Sequence, residues 1–227
     1  MNSLTAEDFK ERSPLYAKHK GACLAPLAET VAVERFSETD EHSQLARCAL
    51  VDLTNLARVG FRGTDSAEFL LSKGYHLPET PNHATLQDDG SMVARLSQTE
   101  YLLLGSLRDA GTRVSDLEAH WQLSEQANYL LPRQDSHAWL LLTGEHCAAV
   151  MAKLCGVDLR DGNFTQGAVA QTSAARINVI VINTHTTALP SFHILCDRAS
   201  VSYFWDAVLD AMLEFGGKPA GIQALLD

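Results

Sequence analysis

The chain has 227 residues, 46% hydrophobic and 20% charged, a balance that suits a folded globular protein and excludes a disordered or fibrous one. At roughly 150 residues per domain this is about one to two domains, long enough to bury about 70% of the extended-chain surface without a metal or disulfide. Eighteen Lys and Arg against 28 Asp and Glu leave a formal charge of −10, which argues against nucleic-acid backbones and anionic membranes as main partners.

Residues 1–30 are mixed and polar, punctuated by Pro14, Gly21 and Pro26, and predict a leading arm with one short helix. Residues 31–36 alternate apolar and polar, the pattern of a half-buried strand. Residues 38–44 are acidic and predict a loop. Residues 49–53 and 57–61 predict two short strands around Thr54-Asn55. Asp65 and Glu68 stand at capping-box spacing before a helix that shows Ala67, Leu70 and Leu71 on one face and ends at Gly74. Pro78, Pro81 and Asn82 predict a rigid loop. Residues 91–96 and 100–104 predict a hairpin, and residues 109–123 an exposed helix with Val114, Leu117 and Trp121 on one stripe.

A second block opens near Asn128. Residues 137–142 form an apolar strand, and Thr143-Gly144-Glu145-His146 opens a helix that stops at Gly156. After a loop containing Asp161-Gly162, residues 168–172, 176–182 and 191–196 predict three strands. A helix over 200–215 ends at Gly216-Gly217, and Pro219 prevents its resumption. The expectation is an α+β protein of two blocks, 1–127 and a ferredoxin-like 128–227, forming one compact unit with antiparallel sheets.

The N-terminus MNSLTAEDFKERSPLY has no apolar segment of a secretory signal, and no run approaches the roughly 20 residues of a membrane helix. Cys23, Cys48, Cys147, Cys155 and Cys196 are odd in number and scattered, so they read as buried thiols of a reducing, cytoplasmic compartment and not as a zinc site.

Standard nucleotide, hydrolase and metalloprotease signatures do not occur. Of the nine histidines, His83, His137, His146, His185 and His193 fall in different segments. His185 and His193 could meet across a hairpin to bind metal or shuttle protons; hydrogen-bonded loop histidines are the commoner outcome. Asp88-Asp89-Gly90 could supply paired carboxylates for a general base, or a tight turn before a strand, and the turn is favoured. Arg47 and Asp52 flank an apolar strand and could hold an anion or pair with each other. Trp139, Tyr203, Phe204 and Trp205 read as core or interface.

Several short segments resemble one family in order and spacing. Ser13-Pro14-Leu15-Tyr16 with His19, Arg47–Thr54, Gly63–Leu70, Arg95-Leu96 and Glu100–Leu104 resemble successive motifs of the glycine-cleavage T-protein (aminomethyltransferase) superfamily. The resemblance implies that superfamily's folate-binding fold, here without its C-terminal barrel. By this resemblance the family's catalytic aspartate aligns near Asp89, the candidate base, and Asp88, Tyr101, Arg176 and His193 are the folate-site candidates. His193 stands where the family has a glutamate that grips folate, and a neutral imidazole replaces a carboxylate poorly. This pattern is similar to the gamma-subunit branch of heterotetrameric sarcosine oxidases. That resemblance implies alpha, beta and delta partner subunits carrying NAD, flavin (FAD or FMN), tetrahydrofolate and zinc, with no active site on this chain and no metal bound to it. The alternatives are a stand-alone folate-dependent aminomethyl or methyl transferase, or a folate-like ligand-binding module.

Overall fold

The structure, a computed structural model, describes residues 11–36, 40–186 and 188–226. A hairpin of β1 (Cys23–Leu27) and β2 (Thr30–Arg35) follows the arm. A six-stranded sheet is ordered β10 (Val169–Ala174), β11 (Ile177–Asn183), β12 (Ser191–Asp197), β9 (His137–Thr143), β3 (Ala49–Asp52), β13 (Lys218–Ala220), antiparallel except for β3 with β13. A five-stranded antiparallel sheet is ordered β5 (His83–Leu86), β6 (Met92–Arg95), β7 (Glu100–Leu104), β4 (Arg58–Arg62), β8 (Tyr129–Pro132).

The apolar pattern explains the layering. β9 is a continuous apolar run because both its faces are covered. Trp139 and Leu141 point toward the other sheet and pack with Leu102, Leu104, Ile182 and Leu195. Leu140 and Leu142 point the other way, onto α4 (Cys147–Leu154) and α5 (Val201–Met212) through Val150, Met151, Phe204 and Trp205. The outer face of the five-stranded sheet buries Val59, Phe61, Val93 and Tyr101 under α2 (Ser66–Ser72) and α3 (Thr112–Ala119). The result is a helix–sheet–sheet–helix sandwich, the α+β architecture with antiparallel sheets that the sequence implies. Each large side chain in these layers contributes about 1.5–3 kcal/mol.

The strands do not sort by position before and after residue 127. β3 joins the six-stranded sheet and β8 the five-stranded one. The chain therefore crosses between the sheets from β3 to β4 and again from β8 to β9. Arg58, fully buried, ties both crossings. Its Nη1 donates to the carbonyls of Thr54 (2.6 Å) and Leu56 (3.0 Å). Its Nη2 donates to those of Gln134 (3.0 Å) and His137. Burial pushes its pKa down to about 10, which leaves it charged at neutral pH.

Local expectations needed correction in several places. The arm holds a 3-10 turn at Tyr16–Lys18 but also the strand β1. The acidic segment is not a loop: α1 (Glu41–Arg47) forms there because Asp40 accepts from the His42 and Ser43 amides, while residues 37–39 lie outside the described residues. Asp65 is the residue before α2 but makes no capping bond; its Oδ2 accepts from the Ala127 amide at 2.7 Å. On α2 Leu70 is buried and Leu71 exposed. β5, β8 and β13 arise in segments to which the sequence assigns no element; β5 is completed by the next strand, β6, and β8 and β13 by the distant β4 and β3. The helix expected over 109–123 is confined to α3. Cys23 is exposed; the other four cysteines are buried.

Arg58→Met removes four hydrogen bonds and leaves their carbonyls without that donor. It is expected to cost about 3 kcal/mol or more. A urea midpoint well below the parent's, with unchanged slope, is the predicted result; an equal midpoint would contradict the role assigned to Arg58.

Candidate functional site

Asp88 and Asp89 lie in the turn from β5 to β6. Gly90 takes φ +85°, a left-handed conformation that favours glycine. The Asp89 Oδ1 accepts from the Ser91 amide (2.9 Å) and hydroxyl (2.6 Å), and Oδ2 accepts from Arg113 Nη1 at 2.7 Å. Burial works to raise its pKa, but these bonds outweigh it and hold the carboxyl below the usual range. Asp89 is therefore an ionised turn-and-pair residue, a weak base at neutral pH. Asp88 is exposed beside it, and its carbonyl accepts from Arg108.

His193 sits elsewhere, on β12, on the face turned toward the five-stranded sheet. Its ring lies 5.4 Å from that of Trp139, whose Nε1 donates to His193 Nδ1 at 2.9 Å. That bond fixes the neutral tautomer with its proton on Nε2. Burial pushes the His193 pKa down to about 4. On the same sheet face, His137, Gln171, Asn178, Ile180 and Leu195 line a cavity of about 340 Å³. His137 is pushed down to about 4, by burial first and then by Arg133 and Arg58. On the five-stranded sheet, Glu100 pairs with Arg62 and with Arg133 Nη2 (2.6 Å). Gly60 makes room for Arg133: a Cβ there would come within 2.9 Å of Arg133 Nε.

The remaining candidates are dispersed. Tyr101 is buried on the opposite, helix-covered face of the five-stranded sheet, with the Arg95 guanidinium 5.6 Å over its ring. Arg176 is exposed in the β10–β11 turn at φ +67°. His185 does not meet His193. Its Nδ1 contacts the Ser191 carbonyl at 2.9 Å, its Nε2 lies 3.6 Å from Cys147 Sγ, and its ring packs on Phe192, whose side chain faces the helices. Thr187, part of the segment aligned with the family's folate motif, lies outside the described residues. Arg47 does not pair with Asp52; it is exposed near Gly216. Trp139, Phe204 and Trp205 are core residues, and Tyr203 is exposed.

The structure thus does not assemble Asp88, Asp89, Tyr101, Arg176 and His193 into one site. Where a carboxylate would offer a pterin edge two oxygens, His193 offers one nitrogen, the other being held by Trp139. These residues do not fit a folate cradle. His137 was among the candidate histidines; Glu100, Arg133, Gln171 and Asn178 were not anticipated beside it, because they come near it only through long-range strand pairing. The only sequence signal was alternation, which sets His137 with Trp139 and His193 with Leu195 on shared faces. Buried Cys147 and Cys196 are each pushed up to about 12 by burial and are poor nucleophiles. Among the described residues, no group of three His, Cys, Asp or Glu could hold a metal ion, and no helix is long and apolar enough to cross a membrane.

Residues 80–226 match the GCVT N-terminal domain family. The chain is 27% identical over 199 residues to an aminomethyltransferase of Acidobacterium capsulatum, covering 77% of this chain and 49% of that protein. It is 23% identical over 230 residues to an aminomethyltransferase of Saccharopolyspora erythraea, covering 93% and 61%. It therefore spans about half to three fifths of these relatives' length. Two solved structures share the fold. One is the glycine cleavage system aminomethyltransferase T of Bartonella henselae, with TM-score 0.70, 17% identity, and coverage of 93% of this chain and 59% of that one. The other is a chain of the heterotetrameric sarcosine oxidase of Corynebacterium sp. U-96, solved with pyrrole 2-carboxylate, with TM-score 0.68, 21% identity, and coverage of 90% and 96%.

The two half-buried histidines, His137 and His193, carry a pH signature. Unfolded, each binds a proton below about pH 6.5; folded, each resists until about pH 4. The unfolded state then holds more protons across that window, so stability falls as pH drops from 6.5 to about 4. His193→Gln is expected to flatten this dependence in urea titrations at stepped pH. A slope identical to the parent's would contradict the assignment.

Proposed function

The chain belongs to the GCVT N-terminal domain family, and from that premise we propose that it is a non-catalytic, gamma-type subunit of a heterotetrameric amine-oxidising complex of the sarcosine oxidase kind. The complex would demethylate sarcosine or a related N-methyl amine oxidatively, with tetrahydrofolate as one-carbon acceptor. Alpha, beta and delta partners would carry the NAD, flavin, folate and zinc. The observation that supports this reading is the shared fold of the sarcosine oxidase chain, matched with TM-score 0.68 over 96% of that chain's length.

The site chemistry supports the same reading. Asp89 is committed to Ser91 and Arg113, and His193 is neutral and bonded to Trp139. Neither is poised to exchange a proton near neutrality. Leu102, Leu104, Trp139 and Leu195 pack together between the sheets. Cys23, Cys48, Cys147, Cys155 and Cys196 as free thiols support a reducing, cytoplasmic setting.

The second reading, a folate-dependent aminomethyl or methyl transferase, draws on the aminomethyltransferase relatives and on the polar cavity beside His137. Two measurements separate the readings. Co-expressed with alpha, beta and delta chains, this chain is expected to co-elute with them in one stoichiometric complex. The purified chain titrated calorimetrically with tetrahydrofolate is expected to give no saturable heat up to about 1 mM ligand. Failure to co-elute would contradict the subunit reading, and micromolar folate binding lost in Asp89→Ala would establish the transferase reading instead.

A further inference from the structure

Two aspartates of this chain are followed directly by glycine, in Asp89-Gly90 and Asp161-Gly162. Such a dipeptide carries chemistry of its own. The glycine amide nitrogen can attack the aspartate Cγ and close a five-membered succinimide ring, and glycine has no side chain to hinder the approach. The fold treats the two pairs differently. The Gly90 amide donates to the Gln87 carbonyl at 2.9 Å. Both Asp89 oxygens are held, Oδ1 by Ser91 and Oδ2 by Arg113. These bonds keep the carboxyl ionised, the form from which an oxygen leaves poorly. Nucleophile and electrophile are both engaged at that pair.

Asp161-Gly162 is the reverse case. It lies in the loop between α4 and β10, and that loop is pinned on either side of it. The Asp158 carboxylate accepts from Arg160 Nε (2.8 Å) and Asn163 Nδ2 (2.7 Å). The Arg160 carbonyl accepts from the Asn163 and Phe164 amides, both at 3.1 Å. These bonds step over Gly162, whose amide makes no hydrogen bond among the described residues. Gly162 takes φ +91°, and a Cβ there would meet nothing within 4 Å, so the turn is open. The Asp161 side chain is 86% exposed, and His185 Nε2 lies 3.7 Å from its Oδ1, beyond hydrogen-bond reach. We propose that Asp161 is a modification site at which the folded chain forms isoaspartate through a succinimide. The Gly162 nitrogen bonds to Asp161 Cγ, and one carboxyl oxygen leaves as water with the amide proton and the carboxyl proton. A water molecule then opens the ring. Its addition at Cγ restores aspartate. Its addition at the Asp161 main-chain carbonyl carbon sets the side-chain CH₂ into the backbone and leaves the α-carboxylate free. The backbone beside His185 thereby lengthens by one carbon, and the carboxylate changes place. The proposal rests on this loop alone and is independent of the subunit reading.

The test is incubation of the purified full chain for several weeks at neutral pH in water enriched in heavy oxygen, then digestion in ordinary water and tandem mass spectrometry. Each ring opening leaves one heavy oxygen atom on the residue. Label and isoaspartate are expected to accumulate at residue 161 at least about tenfold faster than at residue 89, because releasing the Gly90 amide and the Asp89 carboxylate costs at least one net hydrogen bond. In urea, where those bonds are lost, both sites are expected to label. Asp161→Glu, which keeps the charge but would need a six-membered ring, loses the label at its position. Equal labelling of the two sites in the folded chain would overturn the proposal. So would a residue 161 that labels in urea and not in the folded chain. The comparison of the two sites in the unaltered chain decides the matter without any variant.

Discussion

The sandwich depends on one buried guanidinium. The chain passes between its two sheets at residues 53–57 and 133–136, and Arg58 hydrogen-bonds carbonyls at both places. Backbone leaving a sheet has lost its ladder partners and must find others when buried. The planar guanidinium serves four carbonyls here, one more than the three N–H donors of a lysine allow. Tying the two crossings together also fixes how the sheets face each other. That relation sets Trp139 and Leu195 against Leu102 and Leu104, and brings His137 near Arg133.

The same closeness governs the chemistry. Burial holds His137 and His193 neutral, and it pushes the Cys147 and Cys196 thiols away from ionisation. Asp89 stays ionised, but its oxygens are committed to Ser91 and Arg113. These groups are set by burial and by their hydrogen bonds, and none of them is tuned toward neutrality as a proton-transfer group would be. This organisation is in keeping with the subunit role proposed for the chain.

Much of the fold was legible because its signals are local. The apolar run of residues 137–142, the hairpin around residues 97–99 and the α5 stripe each report themselves within a few residues. The elements that were missed are defined from afar. β13 exists because Lys218–Ala220 pairs with β3, and β8 because Tyr129–Pro132 pairs with β4. α1 was concealed by its acidity, since Asp40 reads as a loop residue until its side chain is seen capping the helix. The turn reading of Asp88-Asp89-Gly90 needed only Gly90 and Ser91. The convergence of Glu100 with Arg62 and Arg133 spans two strand pairings, and no spacing in the sequence announces it.

The central claim is that Asp89 and His193 hold structure and take no part in turnover. Steady-state kinetics of the assembled complex carrying Asp89→Ala and His193→Ala together test it most directly. The parent's kcat and KM are the expected result once assembly is verified by co-elution. A loss of kcat of about tenfold or more, equivalent to about 1.4 kcal/mol of transition-state stabilisation, in a fully assembled complex would contradict it.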